Sequence, residues 1–83
     1  TFYYGDLFPK WYGNLFISAL ASGDVRRLVI KDNMVLSEEI MFKEINSRIR
    51  SIKSSKSGYL IILTESREKK NSGKIIRVSP KNL

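Results

Sequence analysis

Cysteine and histidine are both absent from the chain, and each absence removes a class of function. Without cysteine there is no disulfide framework, no thiol nucleophile and no zinc-binding spacing. Without histidine the most common general base and metal ligand near neutral pH is gone as well. No apolar run is long enough to span a bilayer, and Thr1-Phe2-Tyr3-Tyr4 lacks the layout of a signal peptide. A complete enzyme active site is therefore not expected in these 83 residues. The chain opens without Met and inside an aromatic run, so we expect the native protein to extend beyond it, with any export signal on that part.

A chain of 83 residues is one domain at most, and at that size it buries only about two-thirds of its unfolded surface. With neither disulfide nor metal to offset a thin core, a neighbouring element is expected to complete it. Lysine and arginine number 15 against 8 acidic residues, a net charge of +7. That excess means either ordinary solubility or an anionic partner: nucleic acid, an acidic surface or an acidic cofactor.

Turn formers and short apolar runs alternate along the chain. The stretch Gly5-Asp6-Leu7-Phe8-Pro9-Lys10-Trp11-Tyr12-Gly13 mixes turn residues with large aromatics and reads as a loop packed by its own side chains. Asn14-Leu15-Phe16-Ile17-Ser18-Ala19-Leu20 is apolar on both faces, as a buried strand is. Ser22-Gly23-Asp24 turns the chain, and Val25-Arg26-Arg27-Leu28-Val29-Ile30 returns as the second strand of a hairpin. Lys31-Asp32-Asn33 is a tight turn, since Asp and Asn tolerate left-handed backbone, and Met34-Val35-Leu36 opens a third strand. Ser54-Ser55-Lys56-Ser57-Gly58 is a turn by composition, followed by the strongest strand signal, Tyr59-Leu60-Ile61-Ile62-Leu63-Thr64. Glu65 to Gly73 is polar and reads as a solvated hairpin loop, and Lys74-Ile75-Ile76-Arg77-Val78-Ser79 closes as a strand before Pro80.

The stretch from Leu36 to Arg50 supports two readings. Leu36, Ile40, Met41, Ile45 and Ile49 fall at near-helical spacing behind Ser37 as a possible N-cap, with Glu38 and Glu39 in a first turn. Against a helix, Asn46-Ser47 are weak helix formers and Arg48-Ile49-Arg50-Ser51-Ile52-Lys53 alternates as a strand does. The whole gives about six short strands, a spacing that suggests a sandwich, barrel or propeller.

Three pieces, in order, resemble the C-terminal part of the soluble quinoprotein sugar dehydrogenases, the glucose/sorbosone dehydrogenase family. They are Phe8-Pro9-Lys10-Trp11-Tyr12-Gly13-Asn14-Leu15-Phe16-Ile17-Ser18-Ala19-Leu20, then Arg48-Ile49-Arg50, then Gly58-Tyr59-Leu60-Ile61-Ile62-Leu63-Thr64 leading to Gly73-Lys74-Ile75-Ile76-Arg77-Val78. The resemblance implies an all-β fold of antiparallel strands, with residues 1–83 forming roughly the last one and a half to two blades of a six-bladed β-propeller. It also implies that Glu38 to Ser47 runs as a strand and a short connection rather than as a helix. The family oxidises aldose sugars at the anomeric carbon, passing a hydride equivalent to pyrroloquinoline quinone (PQQ) and on to an electron acceptor. A calcium ion and a catalytic His, both held by earlier blades, complete the site, and the resemblance implies a periplasmic or secreted location.

By the same resemblance Arg48 and Arg50 match the family's cofactor-binding arginines. Two residues apart on a strand, they leave one face roughly 7 Å apart, and guanidinium forks suit the three carboxylates of the quinone. The alternative is a solvated strand face, surface arginines being common. Three departures stand beside the match: Ala21, where some members carry a quinone-contacting Lys; Ser51, where Asp usually follows Arg-Ile-Arg; and Ser55-Lys56-Ser57-Gly58 in place of Gly-Pro-Asp-Gly. Trp11, Phe8 and Tyr12 are read as packing rather than as a sugar-stacking rim, and Glu38, Glu39 and Glu44 as a solvated edge. Two other functions fit the composition. One is a small basic β-domain binding nucleic acid through Arg26, Arg27, Arg48, Arg50, Lys53 and Lys56 with Tyr59 stacking a base. The other is a non-catalytic blade module packed on a partner.

Overall fold

The local preferences resolve into strands, two 3-10 turns and no α-helix among the described residues, which in this computed structural model are 1–19, 23–65 and 73–80. The first sheet runs β1 (Leu15–Ala19), β2 (Asp24–Lys31), β3 (Met34–Met41), and the second β4 (Arg48–Ser54), β5 (Leu60–Glu65), β6 (Ile75–Val78). Every pairing is antiparallel. The N-terminal residues add a short ladder beyond β1: the Tyr3 amide donates to the Asn14 carbonyl at 2.9 Å and the Phe16 amide to the Thr1 carbonyl at 2.8 Å.

The turns follow the residues that permit them. Asp32 and Asn33 sit at φ 52° and 62° between β2 and β3, the left-handed pair a two-residue hairpin requires. Gly58, at φ 90°, closes the turn into β5, where the Ser55 hydroxyl accepts the Tyr59 amide at 3.1 Å. The expected turn at Ser22 and the polar hairpin loop after Glu65 fall at residues 20–22 and 66–72, outside the described residues.

The helical spacing between Leu36 and Ile49 does not make a helix. Met34–Met41 is a strand, Lys43–Ile45 a single 3-10 turn, and Arg48–Ser54 the next strand, as the family resemblance implies. Glu38 and Glu39 are not first-turn acids but cross-strand partners: the Arg27 guanidinium lies 2.9 Å from Glu39 and that of Arg26 3.5 Å from Glu38. A ladder of seven residue pairs to β2 therefore overrides a periodicity that a lone segment could satisfy either way. Phe42 and Asn46 bracket the connection in left-handed backbone at φ 61° and 50°. For a ring as large as phenylalanine that conformation is costly, and it persists where packing compensates: Phe42 lies against the core.

One face of each sheet is turned to the other. Tyr3, Phe16 and Val25 from the first sheet's side meet Ile49, Ile52, Leu60 and Ile62 from the second, all buried. Along β5 burial alternates strictly, with Leu60, Ile62 and Thr64 inside. The opposite faces are less covered: Ile17 and Ile40 are 44% and 43% exposed, and Ile75 is 76% exposed. No helix among the described residues is long and apolar enough to cross a membrane.

Candidate anion-binding site

Arg48 and Arg50 flank Ile49 at the start of β4. Ile49 is fully buried and anchors the strand in the core, so its two neighbours are carried outward and both are exposed. The alternation then breaks. Ile49 pairs with Thr64 and Ser51 with Leu63, leaving Arg50 as an extra residue on β4, a β-bulge. The bulge resets the phase, which is why the next buried residue, Ile52, lies three positions after Ile49 instead of two. It also delivers Arg50 to the rim of the sheet with its side chain 68% exposed.

Glu65, the last residue of β5, stands directly opposite Arg48 in the register, and its Oε2 lies 3.7 Å from Nη1 of Arg50. Sequence reasoning places Glu65 at the head of a solvated loop and so misses it. The strand pairing that aligns it with Arg48 is the signal that would have found it. Arg48, Arg50 and Glu65, two cations and one anion, thus share one end of the second sheet. Such a cluster can accept a carboxylate-bearing ligand through charge-assisted hydrogen bonds.

The other basic residues are differently engaged. Arg26 and Arg27 leave opposite faces of β2; Arg26 lies 3.5 Å from Asp24 and Glu38, while Arg27 donates to the buried Asn14 Oδ1 at 2.6 Å and to Glu39. Arg77 lies over the Tyr59 ring at 4.6 Å. These contacts spread the cations over separate surfaces and occupy the ring that a base would stack on, which weighs against a nucleic-acid face. Ala21, where the resemblance marks a missing Lys, lies outside the described residues.

A groove of about 440 Å³ lies at the far end of the second sheet, between Leu7, Phe8 and Trp11 on one side and Val78 and Pro80 on the other. Its lining is mostly apolar, with Lys10 its one charged group. Phe8 and Trp11 stack at 4.4 Å and pack against the core, as a loop held by its own side chains does. Tyr12 is 63% exposed, edge-on to Tyr4. No cluster of three or more metal-ligating side chains occurs among the described residues.

Comparison with known proteins places this arrangement. The family model described as Glucose / Sorbosone dehydrogenase matches residues 1–77. The chain is 35% identical over 82 residues to Aldose sugar dehydrogenase YliI of Escherichia coli (strain K12), covering 99% of this chain and 21% of that protein. Among solved structures, a glucose dehydrogenase superposes at a TM-score of 0.86 with 37% identity, over 98% of this chain and 22% of that one. The soluble aldose sugar dehydrogenase of Escherichia coli in its apo-form superposes at 0.81 with 34% identity, over 96% of this chain and 22% of that one. The chain thus spans about a fifth of the length of these relatives. Its all-β, antiparallel sheets are what propeller blades are made of. With the family model matched along 1–77 and the two-sheet fold shared, the chain belongs to the glucose/sorbosone dehydrogenase family.

Proposed function

We propose that the chain is the C-terminal part of a quinoprotein oxidoreductase that oxidises aldose sugars at the anomeric carbon, and that it contributes part of the seat for PQQ. In this reading residues 1–83 are the last one and a half to two blades of the propeller, and the open sheet faces bearing Ile17, Ile40 and Ile75 pack against the remaining blades. The observation that carries the reading is the exposed arginine pair held on either side of a fully buried Ile49. A strand pinned at Ile49 directs both neighbouring guanidinium groups outward, and their donors match carboxylates. Arg48 and Arg50 are the residues that would hold the quinone's acid groups. The cofactor, when bound, supplies the hydride-accepting chemistry, and the protein supplies position and charge. The calcium ligands and the catalytic base belong, on this reading, to earlier blades, as does the sugar-binding surface.

Adding PQQ and calcium to the full-length protein should give a visible absorbance that a chelator reverses, together with aldose-dependent reduction of a dye acceptor. Salt-sensitive oligonucleotide binding with neither response would overturn the reading in favour of the nucleic-acid alternative.

A further inference from the structure

Glu65 shares the rim with the two arginines, and nothing in the proposed seat requires an acid there. Its position is fixed by more than its own contact. Thr64, next to it, is buried and held twice by Lys74: its amide donates to the Lys74 carbonyl at 2.9 Å, and its hydroxyl accepts the Lys74 amide at 3.1 Å. Ile62 and Leu60 continue the anchor inward. The carboxylate is thus carried at the end of β5 opposite Arg48, within reach of Arg50.

The contact itself is loose. At 3.7 Å, with Arg50 68% and Glu65 39% exposed, it is a through-space ion pair without a well-formed hydrogen bond. Such a pair contributes little to holding the fold, and most of the Arg50 donors stay available. The same negative charge nevertheless faces any anion that approaches the pair. An incoming monocarboxylate can only replace Glu65 one for one, exchanging one weak ion pair for another while adding a like charge nearby. A ligand with several carboxylates can engage both arginines at once and outcompete it.

We propose that Glu65 is a built-in competitor that holds down the anion affinity of the Arg48–Arg50 pair, so that only a ligand able to engage both arginines at once displaces it. The proposal rests on the quinone-seat reading above and adds a role for a residue outside it.

The test is a double-mutant cycle in the full-length apo-protein, titrated with PQQ at fixed calcium, with acetate as the probe anion. Glu65→Gln keeps shape and removes charge, and its thermal midpoint should stay near that of the wild type. It should bind PQQ more tightly by roughly three- to tenfold, the scale of one like charge removed from a partly screened site. It should also become sensitive to acetate at concentrations that leave the wild type unaffected. In an Arg50→Ala background the same substitution should tighten PQQ binding by clearly less than in the wild type, because the competition for Arg50 is gone and only the like-charge repulsion beside Arg48 remains. If Arg48→Ala and Arg50→Ala weaken PQQ binding while Glu65→Gln leaves it unchanged or weaker, Glu65 is no competitor and the inference alone fails. If neither arginine affects PQQ binding, the seat fails and the inference with it.

Discussion

The Tyr3 hydroxyl donates a 2.6 Å hydrogen bond to the Gly58 carbonyl, joining groups 55 residues apart in a fully buried site. The same oxygen accepts the Phe8 amide at 3.2 Å, so one phenol ties the N-terminal ladder, the aromatic loop and the turn before β5 together. Gly5 lies against this junction: a Cβ there would stand 2.6 Å from the Tyr3 hydroxyl oxygen and 2.7 Å from the Gly58 Cα. We predict that Tyr3→Phe in the full-length protein lowers stability by about 1–3 kcal/mol, since it strands a buried carbonyl. Gly5→Ala should cost a similar amount by overpacking, about 1–3 kcal/mol. Denaturant midpoints check both, and an unchanged midpoint for either would show that the junction is not the tie described.

A second contrast concerns Arg27. It serves the buried Asn14 at 2.6 Å and the exposed Glu39 at 2.9 Å. Arg27→Leu leaves the Asn14 oxygen without its donor and should cost about 1–3 kcal/mol. Glu39→Ala removes only the solvated partner and should cost no more than about 1 kcal/mol. Equal losses in urea melts would mean that the surface ion pair carries more than its exposure suggests.

How much of this is legible in the sequence depends on how local the cause is. The Asp32-Asn33 turn is legible because its backbone preference resides in the two residues themselves. The β5 strand is legible from its short apolar run rich in isoleucine. The stretch from Leu36 to Ile49 is not, since its spacing suits a helix and only pairing with β2 at one end and with β5 at the other makes strands of those ends. Tyr3 is not legible either: nothing in an aromatic run says that one ring will bond a carbonyl 55 residues away. At the candidate site, the outward direction of Arg48 and Arg50 around a buried Ile49 follows from alternation. The bulge at Arg50 and the arrival of Glu65 depend on register, which no single strand encodes.

Exposed apolar groups on the outer faces and edges set the behaviour of the isolated segment. Ile75 is 76% exposed and Met34, Val35 and Leu36 are 66%, 58% and 61% exposed, on strands whose outer edges have no partner among the described residues. The isolated 83-residue chain should therefore self-associate in light scattering and show no sugar oxidation with PQQ, calcium and a dye. A monodisperse monomer with a sharp two-state melt would contradict the blade reading, and glucose-dependent dye reduction by the segment would contradict the assignment of the base to earlier blades.

The arginine pair is tested most directly by titrating the full-length apo-protein with PQQ, comparing three neighbouring variants on β4. Arg48→Ala and Arg50→Ala should each weaken PQQ binding by about tenfold or more, since a lost charge-assisted hydrogen bond is worth on the order of 1.5–3 kcal/mol. Ile49→Val should leave PQQ affinity nearly unchanged while costing about 0.5–1.5 kcal/mol of stability, because its side chain is turned into the core. Wild-type affinity in both arginine variants would contradict the quinone seat and return Arg48 and Arg50 to a solvated strand face.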